Sequence, residues 1–466
     1  MRLFRIRYLF RRIFRIRSGI RDLLILAIIV GISTGGISLM FYYSLEYVSR
    51  TVLVEYLGLA PESGSVENWY YTPLVVAFGG LIAGLLVYTF APEAEGHGTD
   101  AVIGAFHRKG GYISIRGPII KFLASIATIG FGGSAGREGP MAQIGGGIAS
   151  VISRVFGAPI QIQRIALTIG LAAGLGAIFK APVGAAILAI EVLYMRDFES
   201  DGLIPAFVAA ILGYTIFGYF TGYEHIFILP FRPIFSPFEI ALFGLLGLAT
   251  SVTGVLYVKT FYAMRNIFSS LDMPPHIKPM IGGLLTGVIA LFFPQILGGG
   301  YEWTTILASG EFPVFNLGSW MYLDINRDYI LIIIISIVLI VLKILATSFS
   351  IGSGGSGGVF APGLFIGALT GYVMAVLFVK LFPGLIEEPM KFISTFMIVG
   401  MLSLFGGISK APLAVLIMVN EMVGSYELMG PAMISIALSY FITGRATIYA
   451  EQVPDREHSP AHWLHR

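Results

Sequence analysis

The chain lacks cysteine and carries few charges for its length. Among its 466 residues no cysteine occurs, 12% are charged and 56% are hydrophobic, with a mean hydropathy of +0.82. A soluble protein of this size would be about one quarter charged. The missing cysteine excludes disulfides, thiolate metal sites and a thiol nucleophile. The scarcity of charge predicts a polytopic membrane protein.

Groupings of residues that would support other functions are also missing. The seven histidines are scattered apart from one i, i+4 pair in the polar tail, so a metal transporter is not favoured. "GGSG" at 354–357 fits an intramembrane serine protease, which needs a histidine on a later membrane helix. The later histidines, His458, His462 and His465, all lie in the tail. No glycine loop ends in the G-K-[ST] of a nucleotide-binding P-loop.

Apolar stretches recur along the chain and differ in length. Stretches that span a bilayer as helices include 23–42, 74–90, 204–220, 238–261 and 329–345. Shorter stretches interrupted by glycine lie at 122–131, 141–155 and 165–179. Short, broken segments are typical of re-entrant or partial-span helices. The predicted fold class is therefore all-α, with full-span and partial-span helices.

The first 21 residues contain eight arginines and no acidic residue. A helix here would have an apolar face formed by Leu3, Ile6, Phe10, Ile13 and Phe14. This pattern predicts an amphipathic helix on an anionic membrane surface. A cleaved signal peptide fits less well, because arginines run through the whole stretch and no small-residue cleavage site follows.

The arginine-rich start also sets the expected orientation. The positive-inside rule places the N-terminus in the cytoplasm, residues 54–72 outside and residues 107–116 inside again. We expect a multi-pass protein of the plasma (inner) membrane with both termini cytoplasmic. The expected segments are a basic N-terminal segment, two membrane halves and a cytoplasmic tail, at 1–21, 22–230, 231–450 and 451–466.

The chain repeats itself. "GGSAGREGP" at 132–140 aligns without gaps on "GGSGGVFAP" at 354–362, an offset of 222. "GAIFKAPVGAAILAIEV" at 176–192 aligns on 406–422, an offset of 230. Two matches in the same order at nearly equal offset predict two related halves. In transporters built this way, the substrate site lies between the halves at the broken segments.

Each glycine loop opens an apolar helix, and a third stretch, "AEGHGTDAVIGAF" at 94–106, opens another. Helix starts present unpaired N–H groups and a partial positive charge, so two starts meeting at membrane depth form an anion site. The alternative is that the glycines only permit close helix packing. Glu138 is either a movable carboxylate that competes with the anion, or a buried acid paired with Arg137 or a lysine.

Together these motifs resemble the CLC family of chloride channels and chloride/proton antiporters. "GSAGREGP", "GGVFAP", the paired "AP…E" segments and "ATIYAEQ" carry the resemblance, which extends from about Arg21 to Pro460. It implies a non-enzymatic homodimer with one anion pathway per subunit, carrying chloride without a cofactor. It also implies an inverted repeat of tilted and partial-span helices. The tail contains none of the CBS domains into which many relatives continue.

The resemblance implies roles for individual residues. Glu138 takes the place of the family's external gating glutamate. Backbone N–H groups of the second glycine loop would hold a central anion, the first loop would line an outer site, and a tyrosine hydroxyl would reach the central anion. The positions carried over are Val359, Phe360, Gly358, Arg137, Gly139 and Tyr449, the last with a one-residue insertion before it.

The third loop departs from the family pattern. Members usually have GSGIP, whose serine contacts the anion, whereas this chain has "GHGTD", with His97 at the serine and Asp100 at the proline. We expect Gly98 and His97 at the anion. His97 either donates an N–H or turns away and leaves only backbone donors. Fluoride-specific members usually carry methionine here, so His97 together with Tyr449 argues against that branch.

A second departure concerns proton coupling. Proton-coupled members usually carry two glutamates after "AP", and the second transfers the proton. Here the first matches Glu191, but the second position is Val192. Valine cannot carry a proton, so the sequence narrowly favours a passive, glutamate-gated chloride channel. Proton relay through Glu191 and water keeps a chloride/proton antiporter open as the alternative.

Overall fold

A computed structural model describes residues 19–59, 68–227, 237–316 and 318–463. The predicted amphipathic face at 3–14 lies outside these residues, and so does His465. The predicted boundary between the halves, at 230 and 231, also lies outside them.

Sixteen α-helices of eight or more residues make up most of the described chain. The first half contains α1 (Ile20–Ser49), α2 (Thr72–Phe90), α3 (Thr99–Arg108), α4 (Arg116–Gly130), α5 (Glu138–Val155), α6 (Ile160–Phe179), α7 (Pro182–Glu191) and α8 (Leu203–Thr221). The second half contains α9 (Pro237–Ser270), α10 (Lys278–Ala290), α11 (Tyr301–Ala308), α12 (Tyr329–Gly352), α13 (Phe360–Leu381), α14 (Pro389–Ser409), α15 (Pro412–Val423) and α16 (Met429–Thr443). One antiparallel hairpin, which the sequence did not predict, pairs β1 (Phe312–Asn316) with β2 (Ser319–Leu323).

Helix lengths divide the fold into full-span and partial-span elements. Eight helical segments of the described chain are long and apolar enough to cross a membrane, namely α1 with its π-helical continuation, α2, α6, α8, α9, α12, α13 and α14. The apolar helices α7, α10 and α15 have only 10, 13 and 12 residues. Crossing a bilayer takes about 20 residues, so these three are partial-span helices. The mixture confirms the predicted fold class.

One predicted short segment is longer than expected. The apolar stretch at 165–179 is the later part of α6, which begins at Ile160 and has 20 residues. Its first turns contain the polar residues Gln161, Gln163 and Arg164, so the apolar stretch in the sequence begins later than the helix does. The helix is therefore long enough to span, contrary to the sequence prediction.

The repeated "KAP" motif is a helix–break–helix device. Lys180 and Lys410 adopt the left-handed conformation, with φ of 52° and 57°, and end α6 and α14. Pro182 and Pro412 then open α7 and α15 at the first helical position, where a missing N–H costs nothing. The same three letters thus produce the same sharp turn in each half.

Glycine also lets helices pack closely at related positions in the two halves. A Cβ added at Gly145 would lie 2.1 Å from the carbonyl oxygen of Gly170, where α5 crosses α6. A Cβ added at Gly367 would lie 2.5 Å from the carbonyl oxygen of Gly400, where α13 crosses α14. These four glycines serve packing, whereas the loop glycines belong to the site described next.

The chain after α16 folds back onto the first half. His107 Nδ1 lies 2.8 Å from the Ser459 hydroxyl, and the Arg456 N–H donates to Asp197 at 2.9 Å. The Gln452 side chain donates to the carbonyl oxygen of Val192 at 2.9 Å. These contacts anchor the segment that carries Tyr449.

Candidate functional site

The two glycine loops meet each other directly. The Gly136 N–H donates to the Gly358 carbonyl at 2.8 Å, and the Gly358 N–H donates to the Gly136 carbonyl at 2.6 Å. Since 222 residues separate these glycines, each pairs with its own repeat mate. The local symmetry axis therefore passes between them, and the starts of α5 and α13 lie side by side. Because the Gly358 N–H is used in this pair, it is not directed at an anion here.

Glu138 is the first residue of α5, and its side chain is only 2% exposed. Carboxylate oxygen Oε1 accepts a hydrogen bond of 2.5 Å from the Tyr301 hydroxyl. Backbone N–H groups of Glu138 itself and of Ala361 face the carboxylate, although Oε2 makes no hydrogen bond of good geometry among the described residues. A Cβ at Gly136 would lie 2.1 Å from Oε2, so the carboxylate folds back over this glycine.

Arg137 does not neutralise Glu138 through a salt bridge within the described residues. Its guanidinium lies between two aromatic rings, 5.1 Å from the centroid of Tyr42 and 5.5 Å from that of Tyr301. Its Nε has no hydrogen-bond partner in the part of the chain described. Cation–π contact is therefore the interaction seen at this partly buried guanidinium.

A cavity runs from Glu138 toward Tyr449 and is lined by residues from both halves. Five of the positions singled out from the sequence line it: Glu138, Gly139, Val359, Phe360 and Tyr449. Val192 lines it as well, together with Thr99 and several apolar side chains of α6 and α7. The other positions singled out from the sequence are not among the lining residues, namely His97, Gly98, Arg137, Gly358 and Glu191. The structure thus gathers Glu138, the second glycine loop and Tyr449 around one cavity.

His97 turns away from the cavity. Its ring is 4% exposed, and Nε2 lies 3.1 Å from Asp100 Oδ2, without hydrogen-bond geometry at either ring nitrogen among the described residues. The ring centroid lies 5.5 Å from that of Tyr449, so His97 packs behind the tyrosine. Of the two alternatives drawn from the sequence, this arrangement matches the second.

Thr99 is a cavity residue that the sequence reasoning missed. It is the first residue of α3, it lines the cavity, and its hydroxyl lies near that of Tyr449, which lines the same cavity. Gly98 precedes it with φ of 84°, a left-handed conformation that turns the helix start toward the passage. The hydroxyl that the family pattern places at 97 is thus provided two residues later.

The turn before Thr99 recurs in the second half, before Tyr301. "GHGT" at 96–99 aligns on "GGGY" at 298–301, and Gly300 has φ of 89°. Thr99 and Tyr301 are therefore repeat mates. Thr99 is the first residue of α3, and Tyr301 is the first residue of α11. The Thr99 hydroxyl lies beside Tyr449, and the Tyr301 hydroxyl donates a hydrogen bond to Glu138. This short match was the available signal for both residues.

A buried lysine holds each of these turns. Lys121 Nζ donates to the carbonyls of residues 94 and 96 at 3.1 and 2.6 Å. Lys343 Nζ donates to the carbonyls of residues 296 and 298, at 2.8 Å each. Both lysines are 0% exposed, and they are separated by the repeat offset of 222. The ammonium groups satisfy carbonyls that would otherwise be buried without partners, which fixes both turns.

The glutamates of the "AP…E" repeat cap helices of the opposite half. Glu191 accepts hydrogen bonds from the N–H groups of Leu413 and Ala414, at 3.3 and 2.7 Å. Glu421 accepts them from Val183 and Gly184, at 3.2 and 2.7 Å. Each carboxylate therefore satisfies free donors at the start of α15 or α7, where the helix dipole also favours negative charge.

Comparison with known proteins then decides the family. The family model described as voltage gated chloride channel matches residues 79–444, which contain both glycine loops and Glu138. The chain belongs to the CLC family. Members of this family transport anions across membranes and are not enzymes. Chloride is the transported ion and no cofactor is required.

Curated CLC relatives cover most of the chain. A protein of Methanocaldococcus jannaschii is 30% identical over 405 residues, 87% of this chain and 91% of the relative. The H+/Cl− exchange transporter ClcA of Vibrio cholerae is 29% identical over 422 residues, 89% of this chain and 84% of ClcA. A putative chloride channel protein, ClcB-like, of Ralstonia nicotianae is 28% identical over 389 residues, 82% and 85% of the two chains.

Solved CLC structures share the fold. A slow cyanobacterial Cl−/H+ antiporter superposes with a TM-score of 0.77 and 25% identity, covering 92% of this chain and 96% of the antiporter. A CLC-type fluoride/proton antiporter superposes with a TM-score of 0.75 and 21% identity, covering 94% and 100%. The architecture is therefore the CLC inverted repeat of tilted and partial-span helices.

Proposed function

We propose that this CLC protein exchanges chloride for protons, with Glu138 as both the gate and the proton carrier at one end of the pathway. The observation that carries the proposal is the position of this carboxylate. It is buried at the start of a helix, lines the passage between the two glycine loops, and has no cationic side chain bonded to it among the described residues. A carboxylate there excludes an anion while ionised and yields to one once protonated.

The passage supplies the donors that a chloride ion requires. We place the anion next to the starts of α5 and α13, where backbone N–H groups of Val359 and Phe360 and the positive ends of the helix dipoles favour negative charge. The hydroxyls of Thr99 and Tyr449 complete the set from the other side. Such neutral donors bind an anion weakly enough for release, which transport requires.

We prefer exchange to passive conduction because two of the similar proteins are named as chloride/proton exchangers. ClcA, 29% identical, is named an H+/Cl− exchange transporter, and the cyanobacterial neighbour at 25% identity is a Cl−/H+ antiporter. The sequence favoured a channel because Val192 replaces the usual second glutamate. A channel remains the second candidate on one observation, that Val192 lines the cavity as an apolar wall.

A proton needs a route at the end opposite Glu138. We assign that role to Glu191, which is 4% exposed and directly precedes Val192 in the chain. Its carboxylate is held by two backbone N–H groups rather than by a cation, so protonation would not break a salt bridge. Water between Glu191 and the cavity would complete the route.

We further propose the assembly and orientation typical of the family. In a homodimer, each subunit would have its own anion pathway, lined by both halves of that subunit. The protein would be a multi-pass protein of the plasma (inner) membrane with cytoplasmic termini, as the N-terminal arginines predict.

The test replaces the titratable carboxylate of Glu138 with an amide of nearly the same shape. Glu138→Gln, reconstituted in liposomes, should carry chloride at an undiminished or higher rate, without proton movement and without a response to pH. Glu302→Gln is the control, because Glu302 is exposed on α11 next to Tyr301 and should leave both fluxes unchanged. Proton-coupled, pH-responsive flux in Glu138→Gln would contradict the assignment.

A further inference from the structure

Tyr301 is the side chain that holds the Glu138 carboxylate in the passage. It begins α11, and its hydroxyl reaches Oε1 of Glu138 at 2.5 Å across 163 residues of sequence. A phenol donates a hydrogen bond without adding a positive charge. It therefore stabilises the carboxylate in place yet leaves the gate free to exchange with an anion.

We propose that Tyr301 is the latch of the Glu138 gate, a positioning residue whose hydroxyl sets how readily chloride displaces the carboxylate. The inference rests on the proposed gating role of Glu138. Hydrogen bonds to a charged acceptor are stronger than those between neutral groups, and this one is lost when the carboxylate leaves. Tyr301 therefore favours the closed state over the open one.

Three features keep the latch in place. The turn before it is fixed by Lys343, whose ammonium holds the carbonyls of residues 296 and 298. One face of the Tyr301 ring meets the Arg137 guanidinium, 5.5 Å from the ring centroid, and the ring of Phe227 lies 5.7 Å away. A ring held in this way presents its hydroxyl to Glu138 at little further cost in conformational entropy.

The arrangement also assigns a structural role to Arg137. Its guanidinium lies between the rings of Tyr42 and Tyr301, and no salt bridge links it to Glu138 in the described chain. The guanidinium thus orients the latch rather than the gate. In the related turn of the first half, Thr99 lines the cavity beside Tyr449 instead, so the two repeat mates lie next to different side chains of the cavity.

The first experiment compares Tyr301→Phe with Tyr42→Phe in liposomes, measuring chloride flux against chloride concentration. Tyr301→Phe keeps the ring and removes the hydroxyl. The carboxylate then competes less well, so the chloride concentration for half-maximal flux should fall about tenfold with little change in maximal flux. Tyr42→Phe removes a phenol from the other side of Arg137, one that does not bond Glu138, and should match wild type. An unchanged half-maximal concentration in Tyr301→Phe would overturn the latch.

A second experiment separates the latch from the gate. In a Glu138→Ala background no carboxylate remains to be held, so adding Tyr301→Phe should change neither the half-maximal concentration nor the maximal flux. If the double variant still shows the shift, Tyr301 acts through the fold and the latch is wrong. If Glu138→Ala alone behaves as wild type, the gating proposal itself fails, whatever Tyr301 does.

Discussion

At the scale of single residues, two hydroxyls stand at helix starts beside the proposed anion pathway, since Thr99 begins α3 and Tyr301 begins α11. The family pattern puts a serine at position 97, where this chain has a buried histidine that packs behind Tyr449. Thr99, two residues later, lines the cavity beside Tyr449. In the proposed pathway, the hydroxyl that the family pattern places at 97 would therefore come from Thr99.

Thr99→Val should weaken chloride binding, because valine keeps the shape and removes one donor to a charged ligand. A loss of about 1.5 kcal/mol, roughly tenfold in affinity, is expected in calorimetric titration with chloride. Thr99→Ser should restore most of the affinity, and His97→Gln should leave it unchanged. A loss in His97→Gln with none in Thr99→Val would return the anion contact to His97.

The residues of the site differ in how readily the sequence alone identifies them. Glu138, Val359 and Phe360 could be located because they lie in long motifs that occur twice. Thr99 and Tyr301 lie in a four-residue match at an offset of 202 rather than 222, too short to stand out in a glycine-rich chain. Their roles depend on where two helix starts point, and that direction is set by tertiary packing.

At the scale of helices, the repeated glutamates connect the halves. Glu191 is the last residue of α7, and its carboxylate caps the start of α15. Glu421 lies in α15, and its carboxylate caps the start of α7. From sequence, the aligned "AP…E" segments predicted a repeat and left Glu191 as a possible proton relay. The reciprocal capping could not be predicted, because it needs the two short helices to lie against each other across the symmetry axis.

Glu191→Gln and Glu421→Gln form a matched pair that separates capping from proton transfer. Each removes a negative charge from a helix start, so each should lower the free energy of unfolding by about 1 kcal/mol, seen as similar decreases in melting temperature. Only Glu191→Gln should reduce proton movement per chloride, because only Glu191 adjoins the cavity-lining Val192. Equal coupling in both variants would reject the relay through Glu191.

At the scale of the whole molecule, the two halves are in close backbone contact at several places, and one of these is the pair of glycine loops. Gly136 and Gly358 pair reciprocally there, and the passage that carries Glu138 runs beside them. The fold class could be predicted from the sequence, because apolar stretches of two lengths and the glycine motifs recur in order, and the location of the site stays a prediction. Proton coupling could not be predicted, because Val192 favours a channel whereas the relatives named as exchangers favour exchange.

Coupling is tested most directly by the reversal potential of the wild-type protein in liposomes with opposed chloride and proton gradients. Exchange through a Glu138 gate predicts that the reversal potential shifts when the proton gradient is changed at a fixed chloride gradient. A reversal potential that follows the chloride gradient alone would contradict the account and establish passive conduction.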